Sequence, residues 1–120
     1  MIMEKISDDC LQKFKAINDV KDILSGKWKV MIIASLSVFG EKRYMELQRI
    51  IDGIGTKMLS KELQELEING LVKRTVMDTK PITVKYELTE YGRSLTPVID
   101  EMASWGIQHR ERIIQEMSAK

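Results

Sequence analysis

The chain has 120 residues, of which 43% are apolar and 31% charged, and its formal net charge at pH 7 is +1. This length predicts one domain, residues 1–120, and the composition is typical of a globular protein. No apolar run approaches the roughly 20 residues of a membrane span, and the acidic N-terminus does not resemble a signal peptide. We therefore expect a cytoplasmic protein with no membrane partner, and the small net charge argues against indiscriminate coating of nucleic acid.

The N-terminal quarter predicts a charged arm followed by two helices. The arm covers residues 1–16, with a helix from Asp8 that Ser7 can cap. Apolar spacing predicts a short helix over residues 16–24 and, after a serine-glycine break, a strongly apolar helix over residues 27–39. The second of these helices is expected to be the most buried in the domain.

Two short helices joined by a tight turn form the centre of the pattern. The first spans residues 45–51, a glycine-rich turn occupies residues 52–55, and the second spans residues 56–69 with Thr56 as its N-cap. Leucines at i, i+4 and i+7 place one face of the second helix in the core; they are Leu59, Leu63 and Leu66. This arrangement predicts a helix-turn-helix, although a surface helix with a solvated polar face has the same local pattern.

After this helix the apolar period changes from 3.6 to about 2. Strands are predicted over residues 71–77 and 83–88, with a turn at 78–82 between them. A helix-turn-helix followed directly by a hairpin has the element order of a winged helix. The predicted fold is therefore mainly α with a small β-hairpin: a winged helix-turn-helix core over residues 17–88, with its wing at 71–88, between N- and C-terminal dimerisation helices.

Residues 89–120 predict the C-terminal dimerisation helix. Thr89 is its expected cap, and Pro97 should kink the helix or divide it in two. Its apolar stripe is too wide for so small a domain to cover, so a second copy of the chain is the expected partner. The predicted dimer contacts, including two from the N-terminal arm, are Leu11, Phe14, Ile99, Met102, Trp105, His109 and Ile113.

Donors on the polar face of the 56–69 helix are concentrated in its first two turns, as in a helix whose N-terminal half enters the major groove. Candidates for base edges are Lys57, Ser60, Lys61 and Gln64. Candidates for backbone phosphates lie around the motif and in the wing, and include the helix N-terminus; they are Lys42, Arg43, Arg49, Thr56, Lys80 and Lys85.

The sequence resembles the HxlR-type winged helix-turn-helix transcriptional regulators, which are related to the MarR group. Seven short segments carry the resemblance: 24–28 (LSGKW), 43–47 (RYMEL), 53–60 (GIGTKMLS), 63–67 (LQELE), 70–74 (GLVKR), 84–92 (VKYELTEYG) and 105–106 (WG). The resemblance implies a homodimeric regulator, expected to be a repressor, that binds a pseudo-palindromic operator of double-stranded DNA near its own or a neighbouring gene.

Two departures from the family pattern affect the expected contacts. Many members carry a Cys-Pro pair, used in some as a thiol or electrophile sensor, at a place that here falls near Lys15; Cys10 lies five residues upstream. The wing reads Pro81-Ile82-Thr83 where many members have Pro-Pro-Arg, so Lys80 or Lys85 would have to replace the arginine.

Other function classes find less support in the sequence. One histidine, one cysteine and no phosphate-binding glycine loop argue against an enzyme, a metal site or a cofactor. Cys10 is either an ordinary free thiol or a redox sensor, and methionine-lined crevices could admit a small-molecule effector. A winged helix that binds a protein partner without DNA remains the further alternative, and salt dependence distinguishes it from a DNA-binding protein.

Overall fold

The computed structural model describes residues 7–119, so residues 1–6 of the predicted arm lie outside it. The chain is mainly helical with a small antiparallel sheet, as predicted. The elements in chain order are α1 (Asp8–Ile23), α2 (Lys29–Phe39), β1 (Lys42–Arg43), α3 (Tyr44–Ile50), α4 (Thr56–Ile68), β2 (Val72–Met77), β3 (Thr83–Leu88), α5 (Glu90–Arg93) and α6 (Thr96–Ser118).

The predicted boundary between arm and core at residue 16 lies inside a helix, because α1 continues from Asp8 to Ile23. Ser7 caps α1 as expected: its Oγ accepts a hydrogen bond from the Cys10 N–H at 3.2 Å. No residue of α1 is buried. This helix therefore projects from the core instead of packing as a separate short helix on it.

The core lies between α2, the α3–α4 pair and one face of the sheet. It contains all three leucines that the helical spacing placed inside, together with residues of α2, α3, the turn, the strands, the residue before β2, and α6. These core residues are Ile32, Ile33, Leu36, Leu47, Ile51, Ile54, Leu59, Leu63, Leu66, Leu71, Val72, Tyr86, Leu88 and Ile99. Met31 of α2 and Ile50 of α3, which the apolar spacing of these two helices would place inward, are exposed instead. The N-cap of α4 is Gly55, and the predicted cap Thr56 is the first helical residue.

The sheet has three strands rather than the predicted two, in the order β1-β3-β2. The short strand β1 pairs antiparallel with β3, with Lys42 opposite Tyr86 and Arg43 opposite Lys85. The wing hairpin pairs Met77 with Thr83 beside the turn at 78–82. Strand β1 joins the start of the helix-turn-helix to the wing, which supports a hairpin that would be marginal alone.

Pro97 was expected to kink the C-terminal helix or to divide it. The structure shows the division, into α5 and α6. Thr89 caps α5 by accepting the Gly92 N–H at 2.9 Å, and Pro97 stands in the first turn of α6, where its missing N–H costs no hydrogen bond. Ile99 corrects a prediction: it is 6% exposed and packs in the core, so it has little surface left for a dimer partner.

A buried charge cluster attaches the back of α4 to α2. Lys29 is 5% exposed, and its Nζ lies 2.7 Å from Glu62 Oε2 and 2.5 Å from Glu65 Oε2. Burial alone would lower the pKa of Lys29, but hydrogen bonds and charges of the two carboxylates raise it above its ordinary value. The same ammonium lowers the pKa of Glu65.

The substitution Lys29→Met is expected to lower the free energy of unfolding at pH 7 by about 3 kcal/mol, since it leaves buried Glu62 without a cation. Because the pKa of Lys29 is raised in the folded protein, its contribution to stability is complete below pH 10.5 and is lost at higher pH. The lowered pKa of Glu65 means its contribution is complete above 4.5 and lost at lower pH. Urea titrations should therefore show the largest difference between wild-type and Lys29→Met protein between pH 4.5 and pH 10.5.

The matched control is Lys21→Met, which removes an exposed lysine from α1. Its urea midpoint should equal that of the wild type. A midpoint for Lys29→Met that is equally unchanged would contradict a stabilising role of the cluster.

Candidate nucleic-acid interface

The outer face of α4 carries all four predicted base-contact residues. Lys57, Ser60, Lys61 and Gln64 are exposed, on the side opposite the buried leucines. They occupy the first nine residues of a 13-residue helix. The structure therefore brings these four side chains together on one donor-rich surface, which we call the α4 outer face.

Tyr44 fixes the angle between the two helices of the motif. Its hydroxyl donates to the Thr56 carbonyl oxygen at 2.7 Å and lies 3.0 Å from Ser60 Oγ. Of the four residues on the α4 outer face, Ser60 is thus engaged within the protein, although its oxygen keeps further hydrogen-bonding capacity. This role of Tyr44 was not predictable from the sequence, because an aromatic residue at a helix start is typical of ordinary packing.

A cleft of about 550 Å³ separates the α3–α4 pair from the wing. Three arginines line it, Arg43 and Arg49 from α3 and its N-cap and Arg74 from β2, and we call it the arginine cleft. Its walls include the aromatic rings of Tyr44 and Tyr86. Two of the predicted phosphate contacts, Arg43 and Arg49, are therefore brought to one concave surface beside α4.

The remaining cationic candidates do not join this cleft. Lys42 is half-buried in β1, and Lys80 is exposed at the wing tip. Lys85 lies on the central strand, where its Nζ is 3.1 Å from Glu41 Oε2 and lowers the pKa of that carboxylate. Lys85 therefore has a partner within the protein, which a phosphate would have to displace.

Arg74 is the charged residue of this surface that the sequence analysis missed. It stands opposite Tyr86 in the β2–β3 register, between Val72 and Val76 on the same face of the strand. The sequence did contain a signal for Arg74. It lies two residues after Val72, which is buried, so the alternation of a strand places both side chains on the face that packs against the helices.

The predicted dimer residues lie on α1 and α6. Leu11, Phe14, Met102, Trp105 and Ile113 are exposed apolar side chains, with Phe14 72% and Trp105 68% exposed. His109 stacks on Trp105, with ring centroids 5.2 Å apart. Cys10 is exposed in the first turn of α1.

The sequence profile of the family described as HxlR-like helix-turn-helix matches residues 23–114. The chain belongs to this family. The HTH-type transcriptional regulator YtcD of Bacillus subtilis, itself uncharacterised, is 42% identical over 92 residues, which is 77% of this chain and 72% of YtcD. YdzF, a second such regulator of the same organism, is 40% identical over 98 residues, covering 82% and 90% of the two chains.

Solved structures of winged-helix regulators are similar as well. The crystal structure of YtcD has a TM-score of 0.73 at 40% identity, covering 79% of this chain and 96% of the other. The redox regulator HypR in its reduced form has a TM-score of 0.75 at 36% identity, covering 83% and 98%. This HxlR-family chain is thus a winged helix-turn-helix DNA-binding regulator. Within residues 7–119, no helix has the length and apolar character needed to cross a membrane.

Proposed function

We propose that this DNA-binding regulator is a cytoplasmic, homodimeric repressor, without catalytic activity, that recognises a pseudo-palindromic operator near its own or a neighbouring gene. The observation that carries the proposal is the α4 outer face: exposed donors at the N-terminal half of a helix whose opposite face is anchored in the core. Such a helix can enter the major groove without disturbing the fold.

Specifying and positioning contacts are divided between different side chains. Lys57 and Lys61 suit the acceptor atoms of guanine, and Gln64 suits adenine. Gly55 supplies no side-chain cap to α4, so the first amides of the helix, at Thr56 and Lys57, are available to a backbone phosphate. Lys42, Arg43, Arg49, Lys80 and Lys85 are the further phosphate contacts of the proposal, and Lys85 would exchange its partly exposed ion pair with Glu41 for the phosphate.

The dimer is supported by apolar surface that the monomer leaves uncovered on α1 and α6. The radius of gyration is 18.3 Å, whereas a compact chain of this length has about 14 Å, so the two helices extend beyond the core. Contiguous exposed apolar surface on a helix is typical of a protein interface. A two-fold dimer that buries both helices should place its two α4 helices about 34 Å apart, one turn of duplex.

Sedimentation velocity tests the dimer directly. Wild-type protein at micromolar concentration is expected to sediment as a dimer, and Trp105→Glu as a monomer, because the substitution places a charge in the apolar face of α6. The control Gln108→Glu adds the same charge at another exposed position of that helix. A monomeric wild type, or a Trp105→Glu variant that remains dimeric, would contradict the proposed interface.

Selection of duplexes from a random library tests the operator. The proposal expects enrichment of one pseudo-palindrome with half-sites centred about 10 base pairs apart. We expect repression because a dimer that occupies a promoter blocks transcription without needing a surface that recruits polymerase. A reporter driven by a promoter containing the selected duplex should lose expression when the protein is supplied; increased expression would identify an activator.

A second candidate function is redox control through Cys10. The thiol is exposed on a helix of the proposed dimer face, and the similar structure of HypR is that of a redox regulator. Two Cys10 thiols from two protomers would form a disulfide, releasing two protons and two electrons to an oxidant such as diamide. Diamide-treated protein that runs as a monomer on a non-reducing gel and keeps its DNA affinity would eliminate this candidate.

A further inference from the structure

The arginine cleft has the charge and shape of an anion site. Three guanidinium groups line it, and none of them forms an ion pair with a carboxylate in residues 7–119. The one acid among the lining residues is Glu46, whose Oε1 accepts a hydrogen bond from the Arg43 backbone N–H at 2.9 Å. Three guanidinium groups against one carboxylate leave the lining of the cleft with an excess of positive charge.

The position of the cleft relates it to the duplex. Ser60 of the α4 outer face and Ile82 of the wing both line the cleft, so it lies between the two elements that border bound DNA in the proposed function. A strand that passes from the groove occupied by α4 to the wing must cross this opening. Guanidinium groups bind phosphate oxygens in a bidentate geometry, which suits this surface better than it suits base edges.

We propose that the arginine cleft binds a phosphodiester of the DNA backbone, and that Arg74 is a phosphate-contacting residue of this chain together with Arg49. The inference rests on the proposed DNA-binding mode, and it adds a contact from β2 that links the wing to the helix-turn-helix. The occupant is one backbone phosphate with its adjoining sugars, held without regard to base sequence.

Tyr86 is the neighbour of Arg74 across the wing hairpin. The tyrosine is 7% exposed and stands opposite Arg74 in the strand register. Burial raises the pKa of Tyr86, while the nearby Arg74 guanidinium partly opposes that rise. A neutral phenol beside the guanidinium does not neutralise it, so the charge of Arg74 remains available to a phosphate.

The test compares Arg74→Gln, Arg74→Lys and the control Arg112→Gln, which removes an exposed arginine of α6. Anisotropy titrations use the wild-type-selected duplex and an unrelated duplex at several salt concentrations. Arg74→Gln should bind both duplexes about tenfold more weakly, as for one lost charged hydrogen bond. It should also reduce the slope of log affinity against log salt by about 0.9. Arg74→Lys should retain the wild-type slope, and Arg112→Gln should change neither quantity.

A purely structural role of Arg74 would alter affinity without altering the salt slope, so the slope is the deciding readout. Thermal unfolding of each variant identifies any loss of fold. An Arg74→Gln protein that is folded and has the wild-type slope overturns this inference alone. A wild-type protein whose binding to the selected duplex does not depend on salt overturns both this inference and the proposed function.

Discussion

Replacement of Lys57, Lys61 and Gln64 together by alanine is expected to weaken binding of the selected duplex at least 100-fold and to remove the preference over an unrelated duplex. Each good contact with a base edge contributes about 1–3 kcal/mol of discrimination, so three lost contacts exceed the 2.7 kcal/mol that corresponds to about 100-fold. All three side chains are exposed, so the thermal unfolding midpoint should not fall. Anisotropy titration of both duplexes measures the effect.

The matched control for this triple variant is Lys21→Ala combined with Arg112→Ala. This control also removes two positive charges, but from exposed sites on α1 and α6, away from the α4 outer face. Its loss of affinity should be small and equal for the two duplexes, because only long-range electrostatic attraction is reduced. A triple variant that keeps the wild-type preference would show that α4 does not read the bases.

The substitution Gly92→Ala is expected to lower the free energy of unfolding by about 3 kcal/mol, the upper range for overpacking in a close-packed interior. A Cβ atom at this position would lie 2.1 Å from the Leu71 carbonyl oxygen, a distance that no backbone adjustment short of moving α5 can relieve. The surrounding contacts oppose such movement, because the Thr89 N–H donates to that same carbonyl at 3.0 Å and the Thr89 hydroxyl donates to the Gly70 carbonyl.

Gly106→Ala provides a control on the same chain. Position 106 lies inside α6, and a Cβ there would meet nothing within 4 Å. Alanine has the higher helix propensity, so this variant should be about 0.5–1 kcal/mol more stable than the wild type. Chemical denaturation measures both, and a Gly92→Ala protein as stable as Gly106→Ala would contradict the close approach of α5 to the wing.

Periodicity predicted the elements that bury a regular stripe. Leu59, Leu63 and Leu66 lie on one side of α4 because no other spacing allows a helix of this length to join the core, and the alternating strands of the wing follow the same logic. Pro97 correctly marked the division before α6, since proline is accepted at a helix start and not in its interior.

Periodicity could not predict features that are short or that have no regular apolar spacing. Strand β1 has two residues and therefore no detectable alternation, and it forms only because β3 presents a free edge next to it. Lys29 was not predicted to be buried, since its burial depends on Glu62 and Glu65 from a helix more than 30 residues away. Ile99 was assigned to the dimer surface because helical spacing alone cannot show which of the two apolar faces of α6 packs against α2.

The candidate interface also has one part that the sequence could predict and one part that it could not. The α4 outer face was predictable, since its residues belong to one helix and follow from the position of the leucines. The arginine cleft was not, because it combines Arg49 from α3 with Arg74 from a strand that is distant in sequence. The ion pair of Lys85 with Glu41 was not predicted either, because Glu41 becomes its neighbour only through the pairing of β1 with β3.

The most direct test of sequence-specific DNA binding through α4 is one anisotropy titration of wild-type protein. It compares the selected duplex with a scrambled duplex of the same composition at low and near-physiological salt. The account predicts a preference of about 1,000-fold or more for the selected duplex and a steep loss of affinity as salt rises. Equal, weak binding to both duplexes, or binding that is independent of salt, would contradict it and would favour a winged helix that binds a protein partner.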